Sequence, residues 1–336
     1  MISKLSEMTG LYVYAVNWIG DAIISLATLE GIREKFPDLP VTVLASPRTS
    51  DVYQMSPSVS SVLPSENNST NRISKSTTSS TLCFPLSFRS AWNLWRLGFP
   101  NRVGYASEGR SVFLNQRLDY SRWKDKHLHQ STYYRELAES VLGPIPVKLP
   151  RLSIPPDLED KTRQFLSINR IVDSYRIAIN PGAFFGSAKM WPTRYYQSLI
   201  RQILNEIPNS SVILFSGDKD KHVTREISQS VNSPRVVSTD GHLPLKESIA
   251  LLSRCRYLVS NDSGMMHIGA ALGMKGIALF GPTDPVATGP LSEETRILSH
   301  RVSCAPCFLR ECPIDHRCME FLTPESVFPV LEKDVL

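Results

Sequence analysis

Residues 260–285 of the chain have the sequence SNDSGMMHIGAALGMKGIALFGPTDP, and this stretch contains the pattern that decides the fold. The short apolar run Tyr257–Val259 before it predicts a buried strand, and Gly276–Phe280 predicts another. Between the strands, the turn Asn261–Gly264 leads into a helix that begins at Met265. Such a unit points a helix N-terminus into a loop, where unpaired N–H groups and the helix dipole favour an anion. An ordinary capped helix has the same pattern.

The composition indicates a globular protein of two domains. The chain has 336 residues, 42% of them hydrophobic and 21% charged, which is enough apolar material for two cores. A net charge of +5 is mildly basic and suggests acidic partners. No apolar run is long enough for a transmembrane helix, and the N-terminus lacks the features of a secretory signal. We therefore expect a cytoplasmic protein.

The same alternation of strands and helices occurs in both halves of the chain. Tyr12–Val16, Ala22–Phe36 and Val41–Ala45 predict a strand, a helix and a second strand. Arg176–Asn180 begins a similar series, with a helix over Pro192–Ile207. These βαβ units predict an α/β protein with two doubly wound parallel sheets, and ligands at the carboxyl ends of the strands in a cleft between the lobes.

Three loops at those strand ends contain residues suited to group transfer. They hold Asp21, Lys189 and the segment Asp262–His267. A lysine opposite a helix N-terminus suits a pyrophosphate whose negative charge grows as it leaves, and a carboxylate could take a proton from an attacking hydroxyl. Taken singly, Asp21 could simply favour the helix dipole, Lys189 could be solvated, and His267 could be structural. Together they predict transfer from a nucleotide-linked donor.

Aromatic and basic residues alternate in the segment Phe84–Arg122, which contains FPLSFRSAWNLWRLGFPNR. This pattern indicates a surface for an anionic, lipid-linked molecule. An amphipathic core helix with a solvated basic face is the alternative. No nucleic-acid motif is present, so we expect no nucleic-acid partner. The polar segment Ser65–Thr81 before it predicts an exposed or disordered loop.

Two groups of residues could bind a metal. Cys304, Cys307, Cys312 and Cys318 supply enough ligands for a structural zinc ion, with reduced thiols or a lone disulfide as the alternatives. Asp218-Lys219-Asp220 matches the Asp-x-Asp pattern of metal-dependent transferases, a tripeptide that also arises by chance.

The segments NWIGDAIISLATLEGIREKFP, NPGAFFGSAKMWP and NDSGMMHIGAALG with ALFGPTDP together resemble the signature segments of one enzyme family. That family is the ADP-heptose–lipopolysaccharide heptosyltransferases, glycosyltransferase family 9, which have the GT-B fold of two Rossmann-like lobes. The pattern PGA-x-FG-x-AK-x-WP is most similar to the heptosyltransferase II type. The resemblance covers nearly the whole chain.

The resemblance implies a role for each matching residue. Asp21 is implied to be the general base, and Lys189 to help hold the donor diphosphate. Arg89 and Arg102 are implied acceptor contacts. The implied donor-binding residues are Gly20, Gly182, Asp220, Asp262, Ser263, Gly264, His267 and Thr283. The family inverts the configuration at the sugar without a bound divalent ion, so no cofactor is expected for catalysis.

The resemblance also implies a substrate and an organisation. We expect transfer of a heptose from ADP-L-glycero-D-manno-heptose to the inner-core heptose of a lipid-linked lipopolysaccharide precursor, at the cytoplasmic face of the inner membrane. Residues 1–165 are expected to form the acceptor lobe, 171–320 the donor lobe, and 321–336 a helix packing back on the first lobe. The alternatives are another nucleotide sugar or acceptor, a binding module without turnover, or a nucleic-acid binder built on the cysteines.

Overall fold

The computed structural model describes residues 8–65, 78–123, 128–171 and 174–336. The chain divides into two compact units, Met1–Ser153 and Ile154–Leu336. Most of the polar segment predicted to be a loop, residues 66–77, lies outside the described residues, and its last two residues begin a strand.

The first unit alternates strands and helices. Its strands are β1 (Leu11–Tyr14), β2 (Val41–Ala45), β3 (Ser61–Pro64), β4 (Ser80–Cys83), β5 (Arg102–Ala106) and β6 (Gln116–Asp119). Its helices are α1 (Ile19–Lys35), α2 (Ser50–Gln54), α3 (Phe88–Arg96) and α4 (Gln130–Leu142), with single 3-10 turns at Arg110–Phe113 and Ser121–Trp123.

All described strands of this unit pair in parallel, in the order β3-β2-β1-β4-β5-β6. Leu11 of β1 lies opposite Val41 on one side and opposite Ser80 on the other. The chain therefore leaves β1 in one direction and later returns to its other side. This reversal between β1 and β4 is the topological switch point, outside which doubly wound sheets bind their ligands.

The second unit repeats the plan. Its strands are β7 (Tyr175–Asn180), β8 (Ser210–Leu214), β9 (Val236–Ser238), β10 (Tyr257–Asn261), β11 (Lys275–Phe280) and β12 (Thr295–Ser299). Its helices are α5 (Asp157–Ile168), α6 (Thr193–Glu206), α7 (Lys221–Val231), α8 (Leu245–Leu252), α9 (Gly264–Ala271), α10 (Pro285–Thr288), α11 (Arg317–Glu320) and α12 (Pro324–Val335), with a 3-10 turn at Ser187–Lys189.

In this unit the described strands are again parallel, in the order β12-β11-β10-β7-β8-β9. The switch point lies between β7 and β10, where Ser260 is opposite Asn180. The strands YRIAIN and YLVSN are almost wholly buried, as expected for the centre of a parallel sheet. The prediction of two Rossmann-like, doubly wound halves is confirmed.

The boundary between the units lies earlier than predicted. Helix α5 was expected to end the first lobe at residue 165, yet it packs on the second unit. Glu159 pairs with Arg254 at 3.2 Å, and Lys161 pairs with Glu247 of α8 at 2.6 Å. The division therefore falls between Ser153 and Ile154.

The final helix, α12, has its recorded contacts within the second unit, and its predicted packing on the first lobe stays a prediction. Val327, Phe328 and Leu331 of α12 are buried in the hydrophobic core of the second unit. Asp334 at the end of α12 accepts hydrogen bonds from Arg296 of β12 and from the hydroxyl of Tyr257 in β10, both at 3.0 Å. The apolar face of α12 is therefore part of the core of the second unit.

In the part of the chain that is described, no helix combines the length and apolar character needed to cross a bilayer.

Candidate active site

Lys189, Asp262 and Thr283 meet at the carboxyl end of the second sheet. Lys189 ends the 3-10 turn that follows β7, Asp262 follows β10, and Thr283 follows β11. The Lys189 ammonium donates to Asp262 Oδ2 at 2.5 Å, and the Thr283 hydroxyl donates to the same oxygen at 2.6 Å. Three residues that the sequence placed on separate loops therefore form one cluster.

The ion pair in this cluster is largely shielded from water. The side chains of Lys189 and Asp262 are 13% and 6% exposed. A carboxylate withdrawn from water is tolerated only when charge and hydrogen bonds replace its hydration, and here Lys189 and Thr283 supply both. Asp262 thus fixes the positions of the Lys189 ammonium and the Thr283 hydroxyl.

Two asparagines that end neighbouring strands hold the surrounding loops, and the sequence analysis did not identify them. Asn261 Oδ1 accepts from the backbone N–H of Trp191 at 3.1 Å and from the Tyr196 hydroxyl at 2.8 Å, while its Nδ2 donates to Pro181 O at 2.7 Å. Asn180 Nδ2 lies 3.0 Å from the Ser263 hydroxyl. The sequence did contain an indication of this role. An asparagine at the end of a buried apolar strand needs hydrogen-bond partners for its side-chain amide.

Ser263 and Gly264 form the N-terminus of α9 beside this cluster. The Ser263 side chain does not cap the helix, since its hydroxyl instead contacts Asn180 and, at 3.1 Å, the hydroxyl of Ser260. The first-turn N–H groups of α9 thus receive no bond from the Ser263 side chain, which suits an anion-binding role. His267 lies one turn later and is 4% exposed.

Gly182 and Asp220, two further predicted donor residues, are in contact. A Cβ atom at Gly182 would lie 2.4 Å from Asp220 Oδ2, so only glycine lets the carboxylate approach. Burial raises the pKa of Asp220, although the nearby His222 and Lys219 oppose that shift.

The two carboxylates of the Asp-x-Asp tripeptide have different environments. Asp218 is exposed and bonded to Lys221 at 2.7 Å, which lowers its pKa, whereas Asp220 packs against Gly182. Among the described residues, no three His, Cys, Asp or Glu side chains form a metal-binding group. The arrangement does not support a metal at Asp218 and Asp220.

Gly20 and Asp21 lie in the first turn of α1, next to the switch point of the first sheet. Two buried tyrosines, Tyr53 and Tyr134, lie near enough for the Asp21 charge to affect them. Burial is the main cause of the raised pKa of each phenol, and the Asp21 carboxylate raises both further. These phenols therefore stay protonated beside Asp21 at neutral pH.

The two predicted acceptor arginines have different surroundings. Arg89 is exposed on α3, which follows the carboxyl end of β4. Arg102 begins β5, at the opposite edge of the sheet from Asp21. Its guanidinium donates to the carbonyls of Phe113, at 2.5 Å, and Phe99. These two bonds give Arg102 a structural role within the first unit, and its predicted acceptor contact stays a prediction.

Helix α3 exposes a patch of aromatic and basic side chains. Phe88, Trp92 and Trp95 are 48%, 37% and 52% exposed, and the Arg96 guanidinium lies 5.3 Å from the Trp92 ring centre. Only Ser90, Ala91 and Leu94 of α3 are buried. The three aromatic residues of α3 all lie on its outer face, as the predicted aromatic and basic surface requires, while its buried face is small.

The four clustered cysteines lie near one another at different depths. Cys304 and Cys307 are exposed, while Cys318 is buried. Burial and the three neighbouring thiols raise the pKa of Cys318 to about 11. No group of three or more potential ligands with metal-binding geometry occurs among the described residues, which include all four cysteines. The predicted structural zinc site is therefore not supported.

Comparisons with known proteins identify the family of the chain. The family model described as glycosyltransferase family 9 (heptosyltransferase) matches residues 79–317. The chain is 28% identical to lipopolysaccharide heptosyltransferase 2 of Salmonella typhimurium, over 86% of this chain and 87% of that protein. It is 26% identical to lipooligosaccharide heptosyltransferase 2 of Campylobacter jejuni serotype O:6, over 96% and 98% of the two chains.

The solved structure of Escherichia coli ADP-heptose lipopolysaccharide heptosyltransferase II superposes with a TM-score of 0.80 and 26% identity. It covers 97% of this chain and 98% of its own. This agreement confirms the GT-B fold class. The family model spans well over half of the chain, and its family name is the one that the loop motifs implied. The chain belongs to glycosyltransferase family 9, the heptosyltransferases.

Proposed function

We propose that the protein transfers a heptosyl group from ADP-L-glycero-D-manno-heptose to the inner-core heptose of a lipopolysaccharide precursor, as a heptosyltransferase of the second type. The observation that carries the proposal is the Lys189–Asp262–Thr283 cluster beside the N-terminus of α9 in a chain of this family. The relatives named lipopolysaccharide or lipooligosaccharide heptosyltransferase 2 support the choice of sugar and acceptor.

Asp21 is the general base of the proposed reaction. Its carboxylate takes the proton of the acceptor hydroxyl as that oxygen attacks the anomeric carbon of the donor. The bond between the anomeric carbon and the β-phosphate oxygen breaks, and ADP leaves with the bonding electron pair. Because attack and departure occur on opposite faces, the configuration at the anomeric carbon inverts.

The second unit binds the donor and stabilises its leaving group. The negative charge of the diphosphate grows as the sugar–oxygen bond breaks, so cations and N–H groups that are already in place lower the barrier. Lys189 and the first-turn N–H groups at Ser263 and Gly264 fill this role. Gly182, Asp220, His267 and Thr283 line the same donor site, and Gly20 belongs to the loop that presents Asp21.

No metal ion takes part in the proposed reaction. The Lys189 ammonium and the N-terminus of α9 supply the positive potential that a divalent ion provides in other transferases.

The outer face of α3 meets the lipid-linked acceptor at the cytoplasmic face of the inner membrane. Trp92 and Trp95 suit the interface between headgroups and acyl chains, and Arg89 and Arg96 suit anionic headgroups. The membrane association proposed here is peripheral.

The test is release of ADP from ADP-heptose, with and without a heptosylated lipid A acceptor, by wild type and the Asp21→Asn variant. We expect acceptor-dependent release that collapses in the variant and persists in the presence of a chelator. Release with a different nucleotide sugar alone would refute the heptose assignment. Binding of ADP-heptose without release in the presence of acceptor would refute the assigned acceptor or the assignment of turnover.

A further inference from the structure

The segment Phe308–Met319, here called the strap, is bonded to both donor-site loops of the second unit. The backbone N–H of Phe308 donates to Pro282 O at 2.8 Å, next to Thr283. The backbone N–H of Ala188, next to Lys189, donates to Arg310 O at 3.0 Å. His316 Nε2 lies 2.7 Å from Ala188 O, and because a carbonyl can only accept, this nitrogen is the donor.

The fit between the strap and these loops depends on two glycines. A Cβ atom at Gly186 would lie 2.2 Å from Arg310 O, and one at Gly281 would lie 2.5 Å from Met319 Sδ. A larger residue at Gly186 would displace the strap backbone at Arg310. One at Gly281 would displace the side chains of Met319 and Cys318. The backbone of Arg310 is therefore held at a defined place beside the Lys189 turn.

The side chain of Arg310 shares an aromatic ring with Lys189. The Arg310 guanidinium lies 5.4 Å from the centre of the Phe185 ring, and the Lys189 ammonium lies 4.9 Å from the same centre. The Phe185 ring thus attracts both cations, and it holds the exposed guanidinium on the same aromatic side chain that contacts the Lys189 ammonium.

The two cations differ in how far their charge is balanced. Asp262 pairs with Lys189 at 2.5 Å and so balances part of the positive potential that Lys189 offers a ligand. Among the residues that the structure describes, no carboxylate lies within ion-pair distance of Arg310, and the guanidinium contacts the Phe185 ring. Arg310 therefore contributes the uncompensated positive charge at this edge of the cluster.

We propose that Arg310 is a donor-binding residue whose guanidinium contacts the diphosphate of the nucleotide sugar beside Lys189. A guanidinium presents several N–H groups in a plane, which suits phosphate oxygens better than a point charge does. The inference rests on the proposed function, because it takes a diphosphate to be the ligand. The inference adds to the donor site a residue of the strap, a segment outside the sequence motifs that contain Lys189, Asp262 and Thr283.

The test measures binding of ADP, adenosine and inorganic diphosphate by isothermal titration calorimetry to wild type, Arg310→Ala, Arg310→Lys and Arg301→Ala. Arg301 is an exposed arginine just before the strap and serves as the matched control. Because the strap is anchored through the backbone carbonyl of Arg310, side-chain substitution leaves that anchor in place, and thermal unfolding should be unchanged.

We expect Arg310→Ala to weaken ADP and inorganic diphosphate binding by about tenfold, with adenosine binding unchanged. Arg310→Lys should fall between, and Arg301→Ala should match wild type. Wild-type affinity of Arg310→Ala for both anions, or an equal loss for ADP and adenosine, would overturn the inference. If wild type binds diphosphate through Arg310 but does not bind ADP, the proposed donor is wrong and the role of Arg310 stands.

Discussion

Lys189 Nζ and Asp262 Oδ2 lie 2.5 Å apart, in an ion pair that joins the turn after β7 to the turn after β10. The same pair has a structural and a functional consequence. It satisfies a buried carboxylate, and in the proposed reaction it positions the ammonium beside the leaving diphosphate. Substitutions in the pair can separate these two consequences. If Lys189 is replaced by a neutral residue, also replacing Asp262 by a neutral residue removes the unpaired buried charge, but it does not give back the positive charge of Lys189.

Lys189→Met should destabilise the protein by roughly 3–5 kcal/mol, because Asp262 is left buried without its counter-ion. The double variant Lys189→Met/Asp262→Asn should recover most of that loss, while ADP binding stays weak in both. Urea unfolding and calorimetric ADP titration measure the two effects. Lys161→Met, in an exposed pair with Glu247, is the control and should change neither. Full ADP affinity in the double variant would remove Lys189 from the donor site.

Asp21→Asn should lower kcat by about 100-fold to 10,000-fold, since an amide cannot accept the acceptor's proton. The Kd for ADP should be unchanged, because Asp21 belongs to the other unit from the donor cluster. Single-turnover ADP release and ADP titration provide the two readouts. Asp38→Asn, an exposed aspartate in the loop after α1, is the matched control. Unaltered turnover of the Asp21 variant would require a different base.

Replacing Trp92 and Trp95 together by serine should reduce binding to vesicles that contain anionic lipid by about tenfold or more. Each substitution removes apolar area that would enter the membrane interface, while the buried residues of α3 are unchanged. Co-sedimentation with anionic and with neutral vesicles measures the effect. Phe321→Ser removes a similarly exposed aromatic from the second unit and should leave binding intact. Equal losses in both variants would mean that α3 has no special role.

The cysteines should differ in reactivity. Cys304 and Cys307 are exposed and should react with a maleimide near neutral pH. Burial and the neighbouring thiols raise the pKa of Cys318 to about 11, so its reactive thiolate should grow about tenfold per pH unit up to that value. Mass spectrometry of tryptic peptides after labelling gives the sites.

A chelator should not change this labelling, because the four thiols show no metal-binding geometry among the described residues. Cys318→Ser should label at Cys304 and Cys307 as wild type does. If the exposed thiols were protected from labelling and a chelator removed that protection, the result would show that they hold a metal ion.

Asp334→Asn should lower Tm at neutral pH by roughly 2–4 °C. The hydrogen bond from Arg296 is the main cause of the lowered pKa of Asp334, with a further contribution from Tyr257. A carboxyl whose pKa is lowered by folding stabilises the folded state at pH values above its pKa in the unfolded chain, near 3.8. That stabilisation is lost as the pH falls through the pKa of the folded state.

The Tm difference between wild type and Asp334→Asn should therefore be constant from neutral pH to about pH 5 and shrink below pH 4. Glu332→Gln on the same helix should show no such dependence. A difference that persists at low pH would mean that the asparagine disturbs packing instead of removing a charge.

Much of the donor side could be predicted from local sequence. Lys189, Asp262 and Thr283 each follow a strand of a parallel sheet, and the carboxyl ends of such strands necessarily lie at one edge. What could not be predicted was the bonding within the cluster. Asp262 was expected to line the donor site, and no local pattern indicated that it would accept hydrogen bonds from Lys189 and Thr283, a pairing set by side-chain reach across three strands.

The acceptor side shows the opposite limit. Local composition indicated an aromatic and basic surface, and α3 does present Trp92 and Trp95. Composition could not separate Arg89, exposed on that helix, from Arg102, whose guanidinium binds backbone carbonyls at the far edge of the sheet. A charged residue that begins a strand and one that lies on a helix face look alike until the sheet is assembled.

The sequence by itself determined the two series of strands and helices, the parallel sheets and the loops that hold Asp21, Lys189 and Asp262, because these follow from hydrophobic periodicity and turn residues within short segments. Tertiary structure alone decided that α12 packs in the core of the second unit, that the asparagines at 180 and 261 tie the loops together, and that Arg310 and Lys189 contact the same Phe185 ring. Those outcomes depend on contacts between residues 70 or more positions apart in several cases. No local pattern encodes such contacts, since they form only when packing has closed the chain upon itself.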